Sequence, residues 1–345
     1  MPIGPIMIDL SGLSLSESDY KLIQHPLVGG VILFTRNYES LEQLTDLIYS
    51  IRDCRNGPIL IAVDHEGGRV QRFKEGFTPL PALNCYGELF DHNVETGLQL
   101  AEKGGWLMAI ELLTAGIDLS FAPVLDLNLG ISKVIGDRSF HSDPEIVTLL
   151  GKAFISGMNR AGMRAVGKHF PGHGSVSADS HLELPLDKRK MDEIAAQDLL
   201  PFIRLSKAAL DGIMTAHIVF NQMDSLPVTF SSFWLQKILR EQAGFSGVIF
   251  SDDLSMAGAE IIGDYPERAT KALNAGCDMI LICNHHEGVI AVLDQLGDYH
   301  CPQSQKRLLK MCGHFQLTRA ELTQSLLWRE TVIEIKRLSA NSLIN

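Results

Sequence analysis

The chain has 345 residues, 46% of them hydrophobic and 21% charged, a composition that supports a large buried core and excludes a disordered or fibrous protein. Its formal charge of −11 is relieved by no run of lysine and arginine, which excludes an extended nucleic-acid or anionic-membrane surface and leaves a small-molecule partner. The first residues carry Pro2, Gly4, Pro5 and Asp9 in place of a basic start and a long apolar run, so neither a signal peptide nor a membrane anchor is expected, and the expected location is the cytoplasm.

Short runs rich in valine, isoleucine and leucine alternate with segments of helical spacing. The run 5–10 (PIMIDL) is followed by an irregular connection in which the first helix is irregular or missing. A strand over 30–34 (GVILF), a helix over 41–54 preceded by Ser40, and a strand over 59–64 (ILIAVD) come next. The stretch 64–95 reads as a long loop with glycines and prolines, of the kind that carries function. A helix over 95–115, a strand over 119–127 (LSFAPVLDL), a helix over 144–161 between Asp143 and Gly162, and a strand over 165–169 (AVGKH) follow. Three more pairs complete the series: helix 190–209 with strand 212–217 (GIMTAH), helix 232–242 with strand 248–252 (VIFSD), and helix 266–275 with strand 279–283 (MILIC), before a helix over 288–296.

Strands apolar along their whole length are covered on both faces. Eight of them alternating with helices predict a (β/α)8 TIM-like barrel in a single domain over 1–345, with a helical segment at 318–338 packed outside. A doubly wound open sheet shares the pattern. The six cysteines have no CxxC spacing and read as free thiols.

Barrel enzymes place their chemistry at the C-terminal ends of the strands. Here Asp64 ends the third strand, Asp126 lies in the fourth, Lys168-His169 ends the fifth, His217 the sixth and Asp252-Asp253 the seventh. After the fifth, KHFPGHGSVSADSH (168–181) gathers a lysine, three histidines and an aspartate on a stretch whose Pro171, Gly172 and Gly174 forbid a helix. Two chemistries use such groups. A zinc hydrolase would collect His169, His173, His217 and Asp252 on loops, although the helical HExxH arrangement is absent. A glycosidase needs an acid for the leaving oxygen and a carboxylate for the anomeric carbon; Asp252 is such a carboxylate, and Asp179 beside His181 makes an imidazole able to donate a proton near neutral pH. A sugar-binding protein without turnover is a third reading.

Three stretches, VDHEGGRVQRF (63–73), KHFPGHG with DSH (168–181) and FSDDLSM (250–256), resemble glycoside hydrolase family 3, and within it the single-domain bacterial β-N-acetylglucosaminidases of cell-wall recycling. The likeness runs from GPIMIDL at Gly4 through HPLVGGVILFTRN, FAPVLDLN and GDRSF to about Asn284. It implies a retaining hydrolase that removes terminal non-reducing β-linked N-acetylglucosamine from muropeptide fragments, GlcNAc-β-1,4-anhydroMurNAc with or without peptide. A covalent glycosyl-enzyme intermediate is implied, with no cofactor and no metal. By motif, Asp252 is the nucleophile, His181 the acid and then the base, and Asp179 the group that aligns His181. Asp64, Arg72, Arg138, Lys168 and His169 are the implied sugar contacts, His173 braces the loop, and His217 lines the floor. Adjacent side chains of an extended strand face opposite ways, so only one of Asp252 and Asp253 should face the sugar. The motif selects Asp252. A monomer without a macromolecular partner is expected.

Overall fold

The computed structural model describes residues 1–180, 182–314 and 316–341. Eight parallel strands form one sheet: β1 (Ile6–Ile8), β2 (Val28–Leu33), β3 (Leu60–Val63), β4 (Leu119–Ser120), β5 (Val166–Phe170), β6 (Gly212–Thr215), β7 (Val248–Asp253) and β8 (Met279–Ile282). Each falls within or overlaps one of the eight predicted runs. Their spatial order is β4-β3-β2-β1-β8-β7-β6-β5. The two end strands meet: the Val166 N–H donates to the Ala122 carbonyl at 2.9 Å, the Leu125 N–H to the Lys168 carbonyl at 2.8 Å, and a parallel bridge joins Val124 to Lys168. These bonds close the sheet into a (β/α)8 barrel, so it is not the open doubly wound alternative.

Alternation along each strand builds two apolar layers from one set of residues. Ile6 and Ile8, Val31 and Leu33, Ile61 and Val63, and Ile280 and Ile282 belong to the core under the helices, whereas Met7, Ile32, Leu60, Ala62, Met279 and Leu281 fill the barrel. Phe121 and Phe250 meet edge to face inside it at 5.4 Å. Every buried side chain of this size contributes about 1.5–3 kcal/mol relative to its exposed state, which is why both faces of each strand are apolar.

The helices follow their caps. Asp143 accepts from the Glu145 N–H at 2.7 Å to start Pro144–Ala161, and Gly162 ends it at φ 101, a value that only glycine adopts at little cost. After β1 the chain does form a helix, a short one at Glu17–Ile23 opened by a Ser16–Asp19 capping box. The predicted helix over 190–209 is two helices, Met191–Ala196 and Leu199–Ala208. Asp198 at the break is fully buried, its carboxylate accepting from Ser175 at 2.8 Å and from Arg189 at 2.7 Å, so the chain turns there to reach the β5 loop. The long loop after β3 contains a hairpin of His65–Gly67 with Val70–Gln71 and a helix over Asn84–His92. At the C-terminal end Arg319–Gln324 and Leu326–Asn341 are helical, and Trp328 donates through its indole to Glu111 of the Val94–Thr114 helix at 2.9 Å.

Candidate active site

The alternation that fills the barrel continues one step further at its C-terminal mouth. Leu60 and Ala62 are followed by Asp64, Val166 by Lys168, and Val248 and Phe250 by Asp252. Strand parity therefore places ionisable side chains directly above the apolar layers. A cavity of ≈ 690 Å³ opens there. Asp64, Arg72, Arg138, Lys168, His169, Asp179 and Asp252 all line it; His181, the remaining predicted site residue, lies outside the described residues.

One side of the cavity is a charge network. The Lys168 ammonium donates to Asp64 at 2.7 Å and to Glu66 at 2.5 Å, and Arg138 grips Glu66 with two bonds of 2.8 Å. Arg72 stands 3.7 Å from Asp64 with its guanidinium 5.8 Å from the centroid of Phe34. Burial alone would raise the carboxyl groups of Asp64 and Glu66, but the facing cations outweigh it and hold both below the ordinary range. For Lys168 burial opposes the charge, and Asp64 and Glu66 outweigh that and raise its pKa. His65, between them in sequence, packs against Phe73 and Phe77 instead, and burial with Arg72 nearby pushes it down to about 3, so it is a neutral core ring.

A second group supports the β5 loop. Asp126 is fully buried and accepts from the His169 ring Nδ1 at 2.7 Å, from the His169 N–H at 3.2 Å and from the His173 N–H at 2.7 Å. An Nδ1–H bond to this carboxylate leaves Nε2 of His169 for the cavity. His173 pairs through Nε2 with the Ser180 hydroxyl at 3.0 Å, which braces the loop beside Asp179. Burial lowers the His173 pKa, and the neighbouring His169 adds to that.

The β7 end separates the two adjacent aspartates by their partners. The ladder with β8 shifts register between Phe250 and Asp253, and at this shift both residues stand at the cavity wall, the Asp253 carboxylate engaged by Ser255 and the Cys283 N–H. Both Asp253 carboxylate oxygens are engaged: they accept from the Ser255 and Cys283 N–H groups at 2.9 and 3.0 Å and from the Ser255 hydroxyl at 2.6 Å. Burial pushes its carboxyl up to about 6, against these bonds. Asp252 accepts one bond among the described residues, from the Asp253 N–H at 2.8 Å. His217 does not line the floor; it is fully buried beneath β7, with Nε2 3.0 Å from the Asp253 carbonyl and Nδ1 3.0 Å from the Thr229 hydroxyl. Among the described residues no group of three or more His, Cys, Asp or Glu side chains is disposed to hold a metal ion.

Sequence reasoning overlooked Glu66 and gave Asp126 no role. The signal for Glu66 was a carboxylate two residues beyond a strand-end aspartate and directly before Gly67-Gly68; for Asp126 it was an acid inside an otherwise apolar strand.

The family model for the glycosyl hydrolase family 3 N-terminal domain matches residues 7–311. The chain belongs to this family. A β-hexosaminidase from Thioalkalivibrio sulfidiphilus is 55% identical over 344 residues, covering 100% of this chain and 99% of that protein. One from Methylococcus capsulatus is 53% identical over 95% of this chain and 98% of that protein. Among solved structures, NagZ from Neisseria gonorrhoeae in complex with N-trifluoroacetyl-D-glucosamine superposes with a TM-score of 0.93 at 42% identity, covering 98% of this chain and 99% of that one. This family 3 protein is a glycoside hydrolase, and the cavity at the barrel mouth is where its fold class places catalysis.

Proposed function

We propose that this family 3 enzyme is a retaining exo-β-N-acetylglucosaminidase acting on muropeptide fragments, with GlcNAc-β-1,4-anhydroMurNAc, with or without peptide, as substrate. Asp252 attacks the anomeric carbon, expelling the aglycone and forming a glycosyl-enzyme ester. His181 protonates the departing oxygen and afterwards takes a proton from the water that cleaves the ester, while Asp179 aligns its ring. Asp64, Arg72, Arg138, Lys168 and His169 hold the terminal sugar. Asp64 accepts from hydroxyls and the cations donate to hydroxyl or acetamido oxygens.

The observation that carries this reading is the contrast at β7: among the described residues Asp252 lines the cavity with one backbone bond, whereas both carboxylate oxygens of Asp253 are bonded. A nucleophile needs an ionised, accessible oxygen. The polar side chains opposite, Asp64, Lys168 and Arg138, suit a ligand made of hydroxyl and amide groups. The relatives' β-hexosaminidase activity supports the same substrate class. For the compartment, six free thiols suit the reducing cytoplasm, and among the described residues no helix is long and apolar enough to cross a membrane. The enzyme works as a monomer, in one domain.

Release of 4-nitrophenol from its β-N-acetylglucosaminide tests the chemistry. Wild type should turn over with and without EDTA, and Asp252→Ala should not; turnover abolished by EDTA would return the histidine loop to a metal. Comparing GlcNAc-anhydroMurNAc with chitobiose tests the aglycone, with preference for the former expected.

A further inference from the structure

Glu66 lies outside the set of residues that family motifs assign to the sugar, yet it is the most heavily bonded carboxylate of the charge network. Its side chain is 1% exposed. Oε1 accepts from Lys168 at 2.5 Å and from Arg138 at 2.8 Å, and Oε2 accepts from Arg138 at 2.8 Å, so one carboxylate holds two cations that both line the cavity. The backbone holds it in turn. Glu66 is the middle residue of the hairpin strand after β3, ahead of Gly67 at φ +111, where an added Cβ would meet the Pro81 carbonyl oxygen at 2.3 Å.

We propose that Glu66 is a positioning residue for the sugar site: it aims Arg138 and keeps Lys168 charged at the distance the sugar requires. This rests on the sugar-binding reading of the cavity. The physical need is plain. Lys168 is 2% exposed and faces Asp64, Glu66 and Arg138; burial and Arg138 disfavour its charge, and the two carboxylates restore it. Arg138, gripped in a planar two-bond fork, cannot swing. Neutralise Glu66 and two buried cations face each other across Asp64 alone.

Glu66→Gln should lower kcat/KM about 100-fold, as misplacing substrate-positioning groups does. Removing this shared acceptor leaves two buried cations short of an anion, so Glu66→Gln should also melt lower, and rates are taken per folded molecule. The split between kcat and KM is then the sharper reading: with Arg138 and Lys168 no longer aimed, most of the loss should appear as a raised KM. Glu66→Asp keeps the charge but shortens the reach, and should raise KM while recovering most of the melting temperature. If Glu66→Gln loses activity only in proportion to its unfolded fraction, with KM unchanged, Glu66 is only structural and the proposal falls. If Glu66→Gln does not fold, Glu66→Asp decides alone: a wild-type KM overturns the proposal. Assaying Asp252→Ala beside them separates the two ideas, since a fully active Asp252→Ala sinks the sugar-site reading itself, whereas an inactive one with a wild-type Glu66→Gln KM sinks only the role of Glu66.

Discussion

Both ends of this barrel bury carboxylates against arginines, with opposite consequences. At the N-terminal end Asp118, Asp211 and Asp278 directly precede β4, β6 and β8. Each reaches back to the preceding odd strand and takes an arginine: Asp118 accepts from the Ile61 N–H and Arg52, both at 2.8 Å, and Asp211 from the Ala165 N–H at 3.4 Å and Arg164 at 3.2 Å. Asp278 accepts from the Ile249 N–H at 2.9 Å, Arg240 and Arg307 at 2.7 Å, and Ser304 at 2.6 Å. One staple is repeated around the ring. At the C-terminal end Asp64 and Glu66 are bonded to side chains, and those side chains line a cavity. Burial dominates at Asp118 and Asp211 and raises their pKa values despite their arginines, whereas at Asp64 and Glu66 cations overcome it. A buried ion pair is thus no mark of a site by itself; a pair whose partners open on a cavity is.

Substitutions at the two ends should separate cleanly. The largest effect is expected from Asp252→Ala, which should cost on the order of 10⁴-fold in kcat, as loss of a nucleophile does, and leave thermal unfolding unchanged. Asp278→Ala should do the reverse. Removing the shared acceptor leaves Arg240 and Arg307 without their anion and the Ile249 N–H unpaired, a loss of about 3–5 kcal/mol in unfolding free energy with kcat per folded molecule preserved. A fall in kcat per folded molecule would break the division.

Asp253 tests the boundary between the ends. Its carboxyl is raised to about 6, so the folded state holds that proton more tightly than the unfolded chain. The resulting stability is fully present below about pH 4 and is lost as pH rises through about 6. Asp253→Asn cannot titrate; relative to wild type it should therefore gain on the order of 2 kcal/mol between pH 4 and pH 7.5 in urea unfolding. No gain would show that the group is ionised throughout. Smallest of all, Lys21→Ala removes an exposed pair with Glu17 on the short helix after β1 and should change stability by less than about 1 kcal/mol, checked by the same unfolding assay.

Much of this was legible beforehand because parallel strands are apolar on both faces and their ends are marked by the first ionisable residue. Asp64, Lys168 and Asp252 were visible that way. The hairpin carrying Glu66 was not, since strands of two or three residues leave no periodicity to read. Nor was the bulge that brings Asp252 and Asp253 to one cavity, because a register shift is a property of the pair of strands and not of either sequence. The break in the 190–209 helix belongs to the same class: Asp198 turns inward for Ser175 and Arg189, partners that helical spacing cannot anticipate.

The central claim is that Asp252 becomes covalently attached to the sugar. Incubation with a 5-fluoro-N-acetylglucosaminyl fluoride, which forms the glycosyl-enzyme faster than water cleaves it, followed by intact-mass measurement and peptide mapping, tests this directly. One added sugar on the peptide containing Asp252, absent in Asp252→Ala, is the result expected. An enzyme that turns over 4-nitrophenyl substrate yet gains no mass, or carries the sugar on Asp253, would contradict it.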